Sequence, residues 1–98
     1  MKKCSDEEFD KLSNFFKVFA DSSRLKILGL LLDSKCSVGE IASKLNMTLS
    51  AVSHQLKCLK ELNLVKSTKE GQNVFYSLSD DHIQTIFTYG IEHIREAK

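Results

Sequence analysis

Proline and tryptophan are absent from these 98 residues, which hold only four glycines and three cysteines. Without proline, no rigid extended linker marks a boundary, and a chain of this length is expected to form one small domain. An odd number of cysteines in unrelated contexts makes no disulfide frame and reads as free thiols in a reducing compartment. No apolar run approaches the roughly 20 residues that cross a bilayer, so no membrane partner is expected. Residues 1–8 are charged and no apolar segment follows them, so no secretory leader is expected and the chain is assigned to the cytoplasm. There are no internal repeats and no low-complexity tract. No catalytic triad pattern and no Gly-rich phosphate loop appear, which argues against an enzyme, and no small organic ligand is expected.

Net charge is also scarce, at +1. Its distribution says more than its sum. Residues 1–40 carry seven basic and seven acidic side chains, residues 41–70 five lysines against two glutamates, and residues 71–98 two basic against four acidic side chains. A basic middle and an acidic tail suit a polyanion at one surface and a cation at another.

Helical periodicity dominates what is present. Ser5 with Glu8 forms a capping box ahead of Phe9, Leu12, Phe15, Phe16 and Phe19. Asp21-Ser22-Ser23 offers N-cap oxygens to a second helix, in which Leu25, Ile27, Leu28, Leu31 and Leu32 are expected to be buried. Ser37 with Glu40 opens a third helix that ends near Asn46. Thr48 or its neighbour caps a fourth, with Val52, Leu56, Leu59 and Leu62 as its inner stripe and Asn63 as a left-handed terminator. The period then shortens. Leu64–Ser67 and Val74–Leu78 read as strands, and Thr68–Asn73 between them is rich in turn formers. Ser79 or Asp80 caps a last helix with Ile83, Ile86, Phe87, Gly90, Ile91 and Ile94 apolar. The expected fold is mainly α with a β-hairpin: a winged helix-turn-helix of order α-α-α-α-β-β-α spanning 1–98. Its reading helix covers about 48–62, its wing 64–78 and its C-terminal dimer and metal helix 80–97.

That fold makes double-stranded DNA the expected partner. Ser50, Ser53, His54 and Lys57 recur three or four residues apart, opposite the apolar stripe, and carry groups that bond phosphates or base edges. Thr48 sits at the helix start, where free amides and the helix dipole favour a phosphate. Lys69, Gln72 and Asn73 are the candidate wing contacts, and an ordinary solvated turn accounts for them almost equally well. Leu49 at the front of the helix either meets a thymine methyl or packs inward.

The last nineteen residues hold Asp80, His82, His93 and Glu96 in the pattern D-x-H-x10-H-x2-E. Eleven helical steps separate the two histidines, which is about 16 Å along an axis and close to whole turns, so both share one face. Zinc takes its donors at about 2 Å, so the two pairs cannot meet within one chain. Asp80 and Glu96 are centred on position 88, and His82 and His93 on 87.5. Two antiparallel copies of the helix, related by a two-fold near Thr88, would therefore bring Asp80 and His82 of one subunit to His93 and Glu96 of the other. Two nitrogen and two oxygen donors suit tetrahedral zinc, with cobalt as a substitute. Gly90 near the crossing allows close approach. Taken singly, Asp80 also fits a plain N-cap, and His93 with Glu96 a surface pair.

Several stretches together resemble the ArsR/SmtB family of bacterial metal-responsive repressors. They are Ala20 to Leu28, Val38 to Ala42, Ser50 to Lys57, and Val74 to Leu78 followed by Asp80-x-His82; the match runs from Phe15 to Glu96. The tail is similar to the zinc- and cobalt-sensing branch. The resemblance implies a homodimer joined through its first and last helices. It also implies an apo form that binds an inverted-repeat operator and releases it when metal binds. Further, it implies that His93 bonds a backbone carbonyl near Asn63. Relatives often carry a polar residue where Leu49 stands. Soft-metal sensors of the family use thiolates from the N-terminal arm and third helix. Here the paired Cys-x-Cys is absent and Cys36 lies one residue before the expected position, held by Ser37. The alternatives are a winged-helix repressor without metal response, or sensing through the thiols of Cys4, Cys36 or Cys58.

Overall fold

Each helix starts where the sequence supplies a capping oxygen. The computed structural model describes residues 3–97. Ser5 caps α1 (Asp6–Val18) and Ser37 caps α3 (Val38–Leu45), each in a complete box with Glu8 or Glu40 three residues on. Asp21 caps α2 (Ser22–Asp33), Thr48 caps α4 (Leu49–Glu61), and Asp80 caps α5 (Asp81–Glu96). The helix-turn-helix pair ends twice on asparagine. Asn46 and Asn63 adopt φ 55° and 61°. In each case the following amide closes back on the helix, Met47 N–H to Ala42 O and Leu64 N–H to Leu59 O, both at 2.9 Å. These are Schellman closures, in which a short polar side chain tolerates the left-handed backbone.

The second closure corrects one expectation. Leu62 is not part of the inner stripe; it is 50% exposed. The left-handed turn at Asn63 redirects the chain so that Leu64 takes the inward place instead. Val52, Leu56 and Leu59 do form the buried stripe of α4. They pack on Ile27, Leu28 and Leu31 of α2, Ile41 and Ala42 of α3, and Leu64, Val65 and Ile83. Leu25 and Leu32 are only half-buried, against expectation, because they flank rather than face this core.

The wing is broader than the sequence suggests. β2 (Val65–Glu70) and β3 (Asn73–Leu78) pair antiparallel from Val65 opposite Leu78 to Glu70 opposite Asn73. The turn-forming composition of 68–73 is therefore mostly strand, and Gly71-Gln72 alone makes the reversal. Gly71 at φ 65° supplies the left-handed position that a two-residue hairpin needs. A third strand was not foreseen: β1 (Cys36–Ser37) pairs antiparallel with β3, giving the order β1-β3-β2. Cys36 is buried there as a small apolar residue. The observed order is α-α-β-α-α-β-β-α, a winged helix-turn-helix with a three-stranded sheet.

Two helices leave much apolar surface uncovered. Phe9, Leu12 and Phe16 on α1, and Tyr89 and Ile94 on α5, are exposed. Between these helices and α2 runs an open apolar groove of about 380 Å³, with Phe19, Leu25, Phe87 and Ile91 among its walls. The radius of gyration is 14.8 Å, against about 13 Å for a compact domain of this size.

Candidate nucleic-acid interface and metal centre

The buried stripe of α4 fixes which side chains face outward. With Val52, Leu56 and Leu59 fully inside, Ser50, Ser53, His54 and Lys57 are all exposed. Thr48 is exposed at the helix start, its hydroxyl accepting from Ala51 N–H at 3.0 Å. The cap anchors the first turn, and the remaining early amides of α4 point outward for an anion. Lys69, Gln72 and Asn73 are exposed at the far end of the β2–β3 hairpin. Leu49 is exposed at the front of α4, so the inward alternative does not hold.

Positioning of α4 rests on a polar network that sequence reading missed. Arg24 Nε–H donates to Gln55 Oε1 at 2.8 Å, and Gln55 Nε2 donates to Ser23 Oγ at 3.3 Å. Ser23 in turn donates to Asp21 Oδ1 at 2.7 Å, and Arg24 N–H to the same oxygen at 3.1 Å. The hydrogen bond from the Ser23 hydroxyl, followed by that from the Arg24 amide, holds the Asp21 carboxyl below its ordinary range. Glu40 is likewise held low, first by the backbone N–H of Ser37 in the α3 capping box. The sequence marked Asp21 and Ser23 as cap oxygens, but nothing in it marked their link to Gln55 on α4. Two further links hold the wing. Lys60 Nζ donates to Ser67 Oγ at 2.8 Å, joining α4 to β2. Lys35 pairs with Glu70 and stands 5.2 Å from the centroid of the Phe75 ring.

The four candidate metal ligands lie at the two ends of α5. Asp80 Oδ1 accepts from His82 N–H at 2.9 Å and stands 3.4 Å from His82 Nδ1. Asp80 thus serves as the N-cap, and this leaves its second carboxylate oxygen free. His93 and Glu96 are exposed in the last turn. Among the described residues no three His, Cys, Asp or Glu side chains converge within the chain. That agrees with the helical arithmetic, which separates the pairs by about 16 Å. The chemistry of the donors fits zinc: two imidazoles and two carboxylates, all open to solvent. Gly90 is exposed, and a Cβ there would meet nothing within the chain. No hydrogen bond joins His93 to the Asn63 turn among the described residues. Of the thiols, Cys36 is buried and donates to Ser34 O at 3.6 Å, Cys58 is partly buried on α4, and Cys4 is exposed.

Comparison with known proteins follows the same surface. The family model for bacterial regulatory proteins of the arsR family matches residues 21–67, from the Asp21 cap through α4 into β2. A transcriptional repressor SmtB homolog from Synechocystis is 34% identical over 93% of this chain and 69% of its own length. The chain belongs to the arsR family. Proteins of this family are DNA-binding transcriptional regulators, and this chain is such a regulator rather than an enzyme. The antimony-specific transcriptional repressor AntR superposes with a TM-score of 0.86 at 26% identity, over 98% of this chain and 87% of that one. The homodimeric winged helix-turn-helix DNA-binding domain of Mb0332 from Mycobacterium bovis superposes at 0.85 with 28% identity, over 98% and 92%. The ArsR/SmtB resemblance and the winged helix-turn-helix expected from the sequence are therefore borne out, the two-residue β1 being the addition.

Proposed function

We propose that this ArsR-family chain is a zinc-responsive repressor: a homodimer whose apo form binds an inverted-repeat operator and whose metal-bound form binds it less tightly. One observation carries the reading. On α5, two half-sets of ligands stand exposed at opposite ends of a helix, and that helix also leaves apolar side chains bare. Pairing of α1 and α5 with those of a second copy would cover Phe9, Leu12, Phe16 and Ile94, and the related Mb0332 domain is itself homodimeric. In an antiparallel pairing, Asp80 and His82 of one subunit hold one side of a metal and His93 and Glu96 of the partner hold the other.

When bound there, a divalent zinc ion supplies a cross-link of four protein ligands between subunits. The chain's own residues do the rest. Asp80 fixes the first turn of α5 and orients His82. Ser50, Ser53, His54 and Lys57 present donors to the major groove, Thr48 caps the helix end that meets a phosphate, and Lys69, Gln72 and Asn73 extend the contact along the backbone. Two-fold symmetry spaces the half-sites by whole turns of DNA. A repressor acting on an operator would work in the cytoplasm.

The preference for zinc over softer metals rests on the donor set. The thiol of Cys36 gives a soft-metal or thiol sensor no support, because it is buried in the core away from any incoming metal or oxidant. A working switch needs a coupling of roughly 1–3 kcal/mol between metal and DNA. Fluorescence anisotropy of a labelled operator during zinc titration tests it. Release at one zinc per subunit is expected, with zinc affinity weakened by the same factor when operator is present. His82→Ala and His93→Ala should each abolish release while leaving apo binding intact. Retention of DNA at saturating zinc would leave a plain winged-helix repressor whose Asp80 is only a cap.

A further inference from the structure

We infer that Leu49 is a base-reading residue, and that the group it reads is the 5-methyl of a thymine in each half-site. The inference rests on the DNA-binding reading above and adds a specific letter to it. Leu49 is the first residue of α4 and is 61% exposed. The core beneath is closed without it by Val52 and Leu56, both fully buried. The two apolar grooves beside α1 are lined by other residues, and the other exposed apolar side chains lie elsewhere: on α1 and α5, at the far end of α4 (Leu62) and on β3 (Val74). Leu49 is therefore neither a core residue displaced outward nor part of the surface that a second subunit would cover. Ser53 lies one helical turn further on, so Leu49 borders the reading face at its leading edge.

Position and chemistry then combine. The N-terminal residues of a reading helix approach the base edges most closely. Thr48, Ser50, Ser53, His54 and Lys57 all offer hydrogen-bonding groups; Leu49 offers none. The one apolar group that an unmodified base pair displays in the major groove is the thymine methyl. A leucine set against any other base edge would strip water from a donor or acceptor and return nothing. Burying one methyl against Leu49 corresponds to about fourfold in affinity per half-site, or roughly fifteenfold for a symmetric pair.

The test uses an operator obtained by selection from random duplexes with the full chain. Each thymine is then replaced by deoxyuridine, one symmetric pair at a time, which removes the methyl and leaves base pairing intact. One symmetric position is expected to weaken binding by about ten- to fifteenfold. Leu49→Ala should lose that sensitivity while keeping its helical circular dichroism and its salt dependence. Leu49→Gln provides a second variant, expected to shift the selected base at that position from thymine toward adenine. Absence of any deoxyuridine-sensitive position overturns the inference, as does a sensitivity that persists undiminished in Leu49→Ala. Failure to select any operator overturns the DNA-binding reading itself, and this inference with it.

Discussion

Removing the Gln55 side chain should loosen the reading helix from α2, and the network predicts by how much. Gln55→Ala deletes the acceptor for Arg24 Nε–H at 2.8 Å and the donor to Ser23 Oγ at 3.3 Å. A hydrogen bond to a charged partner contributes about 1.5–3 kcal/mol and a neutral one about 1 kcal/mol. Both are partly exposed here, which weakens the charged one toward its lower limit. The expected loss is about 2.5 kcal/mol for Gln55→Ala. Arg24→Met keeps the apolar stem and should lose about 1.5 kcal/mol, that is, the charged bond alone. Because both variants break the same bond, the double variant should fall short of the sum by about 1.5 kcal/mol. Urea unfolding of the four proteins at one fixed concentration gives these values directly, since stability of a dimer depends on concentration. Operator affinity should fall along with stability, because the network sets how α4 sits on the core. Additivity within about 0.3 kcal/mol would mean that Arg24 and Gln55 act independently, and the positioning argument would fail.

A Cβ at Gly29 would lie 3.2 Å from Phe87 Cζ, so α5 packs on α2 across a position with little room for a side chain. Gly29→Ala should gain about 1 kcal/mol in helix propensity and lose about 1–3 kcal/mol to overpacking, lowering the melting temperature; Phe87→Leu in the same chain should restore part of it. Acid should weaken the fold through Asp21 and Glu40, whose folded-state pKa values lie below their ordinary 3.8 and 4.5. Depressed carboxyls contribute stability that is complete above those values and is lost as pH falls through the folded ones. Urea midpoints should therefore be flat above about pH 5.5 and drop below about pH 4.5. Asp21→Asn should flatten that drop, and an unchanged acid limb would refute the assignment.

Helices were legible because their ends are chemically marked. Ser5, Ser37, Thr48 and Asp80 are capping residues wherever they stand, and Asn46 and Asn63 tolerate a backbone that most residues avoid. Leu62 was misplaced because helical periodicity assumes a helix that continues, whereas the chain turns at Asn63. β1 escaped because two residues carry no period; only its partner Phe75-Tyr76 makes it a strand. Thr68, Lys69 and Glu70 read as turn because their composition is polar, yet ladder hydrogen bonds to β3 and the Lys35–Glu70 pair hold them extended. Metal-ligand candidates were visible as spacing alone, because no three of them converge among the described residues of one chain. The Arg24–Gln55 link was out of reach, since 31 positions separate the two residues and nothing local couples them.

Strand β3 has neighbours on both sides, β1 from the α2–α3 connection and β2 from the end of the reading helix. The hairpin therefore cannot flap about its root without tearing pairs that also anchor the helix-turn-helix. Wing, reading helix and α2 travel as a single body. On the dimeric reading proposed above, a signal received at α5 would accordingly be expressed as a tilt of one whole protomer against its mate, changing the span between two rigid hands rather than the grip of either.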